Sequence, residues 1–242
     1  MNDECAFLHE GYNSSPVLMM TYNPCYYVEY AHRYGFRKAK DLYAFMKRRE
    51  ETPERIQRLV ERIKHSAHLT IRPFNKKKFW QDVEKVMDIY NAAWDKNWGF
   101  VPLTRKELEA LAKRLKPLYV PDLAVFAEID GEPVGVGLTL PDYNQVLKRL
   151  NGKLGPLQIL KFLRYRKQIT GCRSLLFGVK KEHRNRGIEV VLYYEMERAG
   201  MRLGYQWCEL SWNLEDNDLI NRFDEAVGGK LYKKYRIVEI EI

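Results

Sequence analysis

A chain of 242 residues that is 45% hydrophobic and 30% charged has room for one large globular domain, or for one domain with a fragment beside it. Lys and Arg outnumber Asp and Glu by 41 to 32, and the resulting formal charge of +9 directs attention to anionic partners. Four cysteines without a CxxC pair, five histidines without an HxxxH or HExxH arrangement, an N-terminus without an apolar signal core and no apolar run of spanning length leave no expectation of a disulfide framework, a metal site, a signal peptide or a membrane span, so a reducing cytoplasm is the expected compartment.

In chain order, residues 1–50 are rich in Tyr, Asn and Pro, with a helix expected over 26–34, a stop at Gly35 and a strand near 41–45. Residues 52–67 read as a second helix, capped by Thr52, with Pro53 in its first turn and Ile56, Leu59, Val60 and Ile63 along one face. A short strand over 68–73 opens the main unit. A long helix follows over 79–97, where Trp80, Val83, Val86, Met87, Tyr90 and Trp94 recur at helical spacing. Thr104 and Glu107 have the spacing of a capping box, ahead of a stripe of Leu108, Leu111, Leu115 and Leu118.

Asp130-Gly131 is a hairpin signal between strands at 123–129 and 133–140, and Gly135 and Gly137 point to a bulge or a close backbone approach in the second. After a segment over 141–171, helical in two pieces broken around Gly152 to Pro156, come a strand (174–179), a loop (180–187), a helix (188–203) stopped by Gly204, a strand (207–212), a short helix (217–226) and one or two closing strands (230–242). This order predicts an α/β or α+β fold, a sheet with helices on both faces.

The charge is uneven. No acidic residue lies between Asp142 and Glu182, a stretch that carries ten Lys and Arg. Leu154, Leu157, Leu160 and Leu163 beside Lys161, Arg164 and Lys167 make an amphipathic surface there, open to an acyl-site lid, an RNA or anionic membrane surface, another subunit such as a second copy, or plain solvation of a helical face.

The run Phe177-Gly178-Val179, then Arg184-Asn185-Arg186-Gly187 and a helix from Ile188, reads as a buried strand feeding a tight loop and a helix N-terminus. Such a corner concentrates unpaired N–H groups and the positive end of a helix dipole, which suits a pyrophosphate; Arg184 and Arg186 are expected to add charged contacts.

Here the chain resembles the GNAT superfamily of acyl-CoA N-acyltransferases, whose signature Arg/Gln-x-x-Gly-x-Gly/Ala reads Arg184-Asn185-Arg186-Gly187-Ile188-Glu189, with Glu189 in place of a small residue. Downstream, the family pattern of Asn, Ala three on, Tyr at seven and Gly-Phe at eleven and twelve reads Asn217, Ile220, Asp224, Gly228 and Gly229, so Asp224 stands where a thiolate-protonating Tyr is usual. Asn23-Pro24-Cys25-Tyr26-Tyr27 through Lys40-Asp41-Leu42-Tyr43 is similar to the close of a first unit in bacterial tandem GNAT-like proteins. The resemblance implies a mixed, mostly antiparallel central sheet with helices on both faces, organised as a remnant of a preceding unit (1–50), a connecting helix (51–67) and an acyltransferase domain (68–242).

It also implies N-acyl transfer from acetyl-CoA or another acyl-CoA, as co-substrate and without metal, to a small-molecule or peptide primary amine. Amine attack needs a proton acceptor. Glu209, which shares a strand face with Trp207 and Ser211, is the candidate base, and a backbone N–H near Val179 is the expected oxyanion donor. Tyr232 or Tyr235 could replace the missing Tyr, and Glu215 could position the amine or cap the short helix. Two alternatives stay open: an aminoacyl-tRNA-dependent transferase using the basic segment over 143–181, or a degenerate binding module without catalysis.

Overall fold

The computed structural model describes residues 5–94, 97–153 and 155–241; Leu154 lies outside the described residues. Two strands and a helix open the chain: β1 (Phe7–Glu10), α1 (Tyr27–Arg33) and the long β2 (Arg37–Arg48). Then come α2 (Glu54–Ser66), β3 (Leu69–Pro73), α3 (Phe79–Trp94), α4 (Arg105–Leu115), β4 (Ala124–Ile129) and β5 (Glu132–Pro141). The basic segment forms α5 (Asn144–Leu150) and α6 (Pro156–Tyr165), and β6 (Gly171–Val179), α7 (Ile188–Arg202), β7 (Trp207–Leu214), α8 (Asp218–Ala226) and β8 (Lys230–Glu239) complete the fold. It is a mixed, mostly antiparallel sheet fold with flanking helices, as expected.

Two compact units form, and they do not follow linear order. One takes the segment ending at Arg48, Pro141–Arg173 and the segment from Gln206; the other takes Arg49–Leu140 and Ser174–Tyr205. β6 passes from the first to the second.

In the first unit the strand order is β1-β8-β2-β7, antiparallel throughout. The N-terminal strands therefore do not stand apart: β2, which runs well beyond the expected 41–45, lies between β8 and β7, with Phe45 matched to Leu231 on one side and Leu210 on the other. β1 has no counterpart among the predicted elements, because four residues with one buried position carry too short a pattern to read. Leu8, Val17, Met20, Leu42, Ala44, Leu214 and Tyr235 make the core of this unit. Tyr43 pairs with Asn213 and Ala44 with Ser211, so β7 bulges at Trp212. The start of β7 is held beside the start of β6 by Gln206 N–H donating to Thr170 O at 2.7 Å. Only a glycine fits next to it, since a Cβ on Gly171 would sit 2.0 Å from the Trp207 ring.

In the second unit β5, β4 and β3 are successive antiparallel neighbours and the later part of β6 lies on β5. Asp130 (φ 50°) and Gly131 (φ 84°) are both left-handed, which gives the β4–β5 hairpin the twist its strands need. The register slips at Val134, beside Gly135, and at Gly137 it is a side chain that comes close: an added Cβ would lie 2.1 Å from Met196 Sδ. α7 buries Ile188, Val191, Leu192, Tyr194 and Met196 against Val125, Ala127, Val134 and Val179, with Val60 of α2 in the same cluster. The capping box of α4 forms, with Thr104 N–H on Glu107 Oε2 at 2.9 Å and Glu107 N–H on Thr104 Oγ1 at 3.3 Å. Thr52 does not cap α2. Pro53 is the N-cap, and the Thr52 hydroxyl donates instead to Glu197 of α7 at 2.7 Å.

α3 is anchored by an arginine that the pattern of the sequence does not single out. Arg72 of β3 grips Asp82 with two nitrogens (2.9 and 3.1 Å), donates from Nε to Glu128 at 2.8 Å and lies over the Phe126 ring. Both carboxylates are buried; among the described residues Arg72 is the ion-pair partner of Asp82, which also accepts from Asn75 N–H at 2.7 Å, while Glu128 has Lys85 Nζ at 3.8 Å as well. Arg72→Met should lower stability by about 3–5 kcal/mol, the cost of leaving buried charges unpaired, read as a shift in the denaturation midpoint.

Candidate active site

The corner expected to hold phosphate lies in the second unit. β6 ends at the buried Val179, Lys180 N–H donates to Val134 O at 2.8 Å, and a single turn leads to Arg184. Asn185 (φ 61°) and Gly187 (φ 77°) are left-handed, and α7 starts at Ile188. Among the described residues nothing accepts from the N–H groups of residues 185 to 189; the first amides of α7 with a partner are those of Val190 and Val191, both on Gly187 O. These five consecutive N–H groups stand at the N-terminal, positive end of a four-turn helix, the kind of corner expected to suit an anion.

Arg184 does not point out of this corner. Its Nε donates to Val179 O at 3.1 Å and its Nη2 to Ala93 O at 2.5 Å, so it ties the loop to the end of β6 and to α3 rather than presenting charge to a ligand. Arg186 is exposed and places Nη1 3.5 Å from the Nδ1 of His183. Gly187 is favoured by its left-handed φ, and an added Cβ would also lie 2.6 Å from Ile63 Cδ1 of α2, which would have to shift. Gly178 is covered in the same way by the Trp94 ring, 2.3 Å from a hypothetical Cβ. The side chains of Val179, Ile188 and the partly buried Phe177 belong to the core of the unit, so what residues 179 and 188 can offer a ligand is main chain. Glu189 is half-buried in the first turn of α7, an anion already at the helix's positive end.

The first unit holds a buried polar network centred on Glu209 of β7, which is 0% exposed. Ser211 Oγ donates to its Oε1 at 2.6 Å, and the Tyr232 hydroxyl donates to its Oε2. Arg173 of β6 places Nε 3.7 Å from Oε1 and 3.1 Å from Ser211 Oγ, and its Nη1 donates to Leu18 O and Met19 O at 3.0 Å each. Lys233 is buried, with Nζ on Ser15 O at 2.8 Å and the Tyr232 ring beside it. Asp142 accepts from Leu18 N–H at 3.0 Å and Gln145 Nε2 at 3.3 Å.

Burial sets the protonation of this network. It pushes the Tyr232 hydroxyl far above the usual phenol range, and the Glu209 charge pushes it further, so Tyr232 stays a protonated donor. Burial likewise raises the Asp142 carboxyl and lowers the ammonium of Lys233 and the guanidinium of Arg173, the last two opposed by the Glu209 charge. Tyr235 is fully buried and its hydroxyl has no partner among the described residues.

The three catalytic candidates do not form one cluster. Glu209 and Tyr232 touch, whereas Asp224 bonds to Asn213 Nδ2 at 2.7 Å. Asn217 serves as the N-cap of α8 through its main chain, its carbonyl accepting from Asn221 N–H at 3.1 Å. Glu215 does not cap that helix; it accepts from Asp41 N–H at 3.0 Å and Lys38 Nζ at 2.6 Å. Arg173, Lys233 and Asp142 escaped sequence reasoning. The available signal was Arg173 itself, the lone charge of a strand that, Ser174 apart, is apolar. Among the described residues no group of three or more His, Cys, Asp or Glu is arranged to hold a metal.

No family model matches the chain. Bacterial ceramide synthase of Caulobacter vibrioides is 36% identical over 249 residues, 99% of this chain and 64% of that protein. Protein YghO of Escherichia coli is 30% identical over 251 residues, 100% of this chain and again 64% of its partner in the comparison. The chain thus spans just under two thirds of the length of these relatives. Among solved structures, a GCN5-related N-acetyltransferase from Sphaerobacter thermophilus superposes with a TM-score of 0.57 at 16% identity, over 87% of this chain and 54% of that one. A tandem GNAT protein from the clavulanic acid biosynthesis pathway gives 0.52 at 11% identity, over 96% and 62%. The chain has the GNAT fold. Its Arg184–Glu189 run stands at the start of α7, the place where the signature of GNAT proteins was expected.

Asp224 supplies a test of the first unit that does not depend on catalysis. Burial raises its carboxyl from 3.8 to about 7, against the opposing Asn213 hydrogen bond. A folded-state pKa above the unfolded one contributes stability that is complete below 3.8 and lost as pH rises through about 7. Asp224→Asn keeps an acceptor for Asn213 and cannot ionise. Across that window the parent protein should lose several degrees of Tm relative to the variant, followed by thermal melts at matched ionic strength.

Proposed function

We propose that this chain is the acyl-coenzyme A-binding part of an N-acyltransferase whose acceptor is a long-chain primary amine. The observation that carries the reading is the row of five unpartnered amides over residues 185–189, at the mouth of a long helix in a GNAT fold. An anionic diphosphate satisfies those donors and the dipole together. The acceptor class follows from the relative named bacterial ceramide synthase, since a ceramide is the amide of a fatty acid and a long-chain amino alcohol.

In this reaction a neutral amine attacks the thioester carbonyl, a C–N bond forms, the C–S bond breaks and the thiolate leaves. The amine's proton must go to a base. Tyr232 is the half-buried member of an otherwise buried network, and its hydroxyl already donates to Glu209. Within the first unit the proposed relay has the phenol oxygen of Tyr232 accept a proton as its own passes to Glu209. Arg173 and Ser211 hold the Glu209 carboxylate in place. A second reading, a module that binds coenzyme without turnover, draws on the complete enclosure of Glu209 and on Glu189 beside the anion corner.

Titration with acetyl-CoA and palmitoyl-CoA, followed by calorimetry, tests the corner. Arg186→Glu should weaken binding about 10-fold, and Glu189→Gln should tighten it about 2–5-fold by removing a competing anion from the helix terminus. No binding of either thioester, with the fold intact by circular dichroism, would sink the proposal. Turnover with palmitoyl-CoA and sphinganine separates the two readings: Glu209→Gln should lower kcat by roughly 100-fold or more with little change in the KM for the thioester. Unchanged kcat removes Glu209 from the chemistry, and an inactive but coenzyme-binding parent protein favours the module.

A further inference from the structure

α6 contradicts the ordinary economy of a globular helix. None of its residues is buried, and Leu157 (70% exposed), Leu160 (64%), Ile159 (56%) and Leu163 (43%) all stand in water on a ten-residue element. The helix is nevertheless held firmly by its other side: Phe162 stacks on Tyr143 at 5.8 Å, and the Tyr165 ring lies under the Arg149 guanidinium at 5.2 Å. Around the aliphatic face stand Lys153, Lys161, Arg164 and Lys167, all exposed and, among the described residues, without a carboxylate partner. The nearest acids along the chain are Asp142 and Glu182.

We propose that α6 docks this protein onto an anionic lipid surface, lying in the headgroup layer with its leucines toward the acyl chains and its cations among the phosphates. The charge pattern chooses this occupant. A second copy meeting the first through the same face would bring Lys161 and Arg164 against their own counterparts. RNA would neutralise the cations but leave four aliphatic side chains in water. An anionic bilayer meets both demands, and a helix about 15 Å long fits the plane of the interface rather than a span. The inference stands apart from the coenzyme corner, which belongs to the other unit.

Co-sedimentation with vesicles tests it. The protein should bind phosphatidylcholine vesicles containing phosphatidylglycerol at least about 10-fold more tightly than phosphatidylcholine alone, and less tightly as salt is raised. Leu157→Glu with Leu160→Glu should abolish binding, and Lys161→Glu with Arg164→Glu should remove the preference for phosphatidylglycerol. Leu160→Trp should show a blue-shifted emission on the anionic vesicles. Because these side chains are exposed, all variants should keep the parent Tm and the parent acetyl-CoA titration. Vesicle binding that ignores the leucine substitutions would overturn the proposal. So would salt-sensitive tRNA binding without vesicle binding, or a dimer that dissociates in the Leu157→Glu variant while vesicles go unbound.

Discussion

The candidate site depends on a short stretch of backbone held in an unusual shape. Two left-handed residues, Asn185 and Gly187, turn a row of N–H groups away from any internal acceptor. The left-handed backbone costs energy at Asn185 and little at Gly187. It persists because Arg184 ties the loop to the carbonyls of Val179 and Ala93, and because Ile63 packs where a side chain on residue 187 would otherwise be. The arginine of the signature is thus structural, and under the proposed reading a ligand would meet main-chain donors beside the exposed Arg186. A main-chain site reads charge and shape rather than side-chain chemistry, which suits the invariant diphosphate of a coenzyme more than a variable acceptor.

The Glu209 network follows a different logic. Bringing a carboxylate, a guanidinium and an ammonium out of water is expensive, and the cost is offset only if every oxygen and nitrogen finds a partner. Here Ser211, Tyr232, Arg173 and the main-chain carbonyls of Leu18, Met19 and Ser15 supply those partners. The loop over residues 15–20 is therefore part of the network as well as of the core of its unit. Such a cluster is a poor way to gain stability and a reasonable way to hold a proton acceptor in a fixed place. The raised Tyr232 hydroxyl is the physical link, because a phenol that cannot ionise must donate, and its acceptor is the carboxylate.

The exposed face of α6 and the amide corner represent the same kind of observation, a polar or apolar group whose natural partner is missing from the folded chain. In each case the chemistry of the exposed atoms names the partner: N–H groups and a dipole call for an anion, and leucines ringed by cations call for an anionic interface.

Much of the fold was legible in the sequence because it is written in local patterns. The Asp130-Gly131 turn, the Thr104 capping box, the break between α5 and α6 and the start of α7 at Ile188 all depend on residues close together along the chain. The same holds for the amide corner, whose glycine and helix start sit side by side. What only the tertiary structure decided involves partners far apart in sequence: β2 placed between β7 and β8, Thr52 drawn to Glu197, Arg72 onto Asp82 and Glu128, and Arg173 onto Glu209. A periodic pattern says which face is buried but not what it is buried against, and a charge in a basic run looks solvated until the fold brings a carboxylate to it.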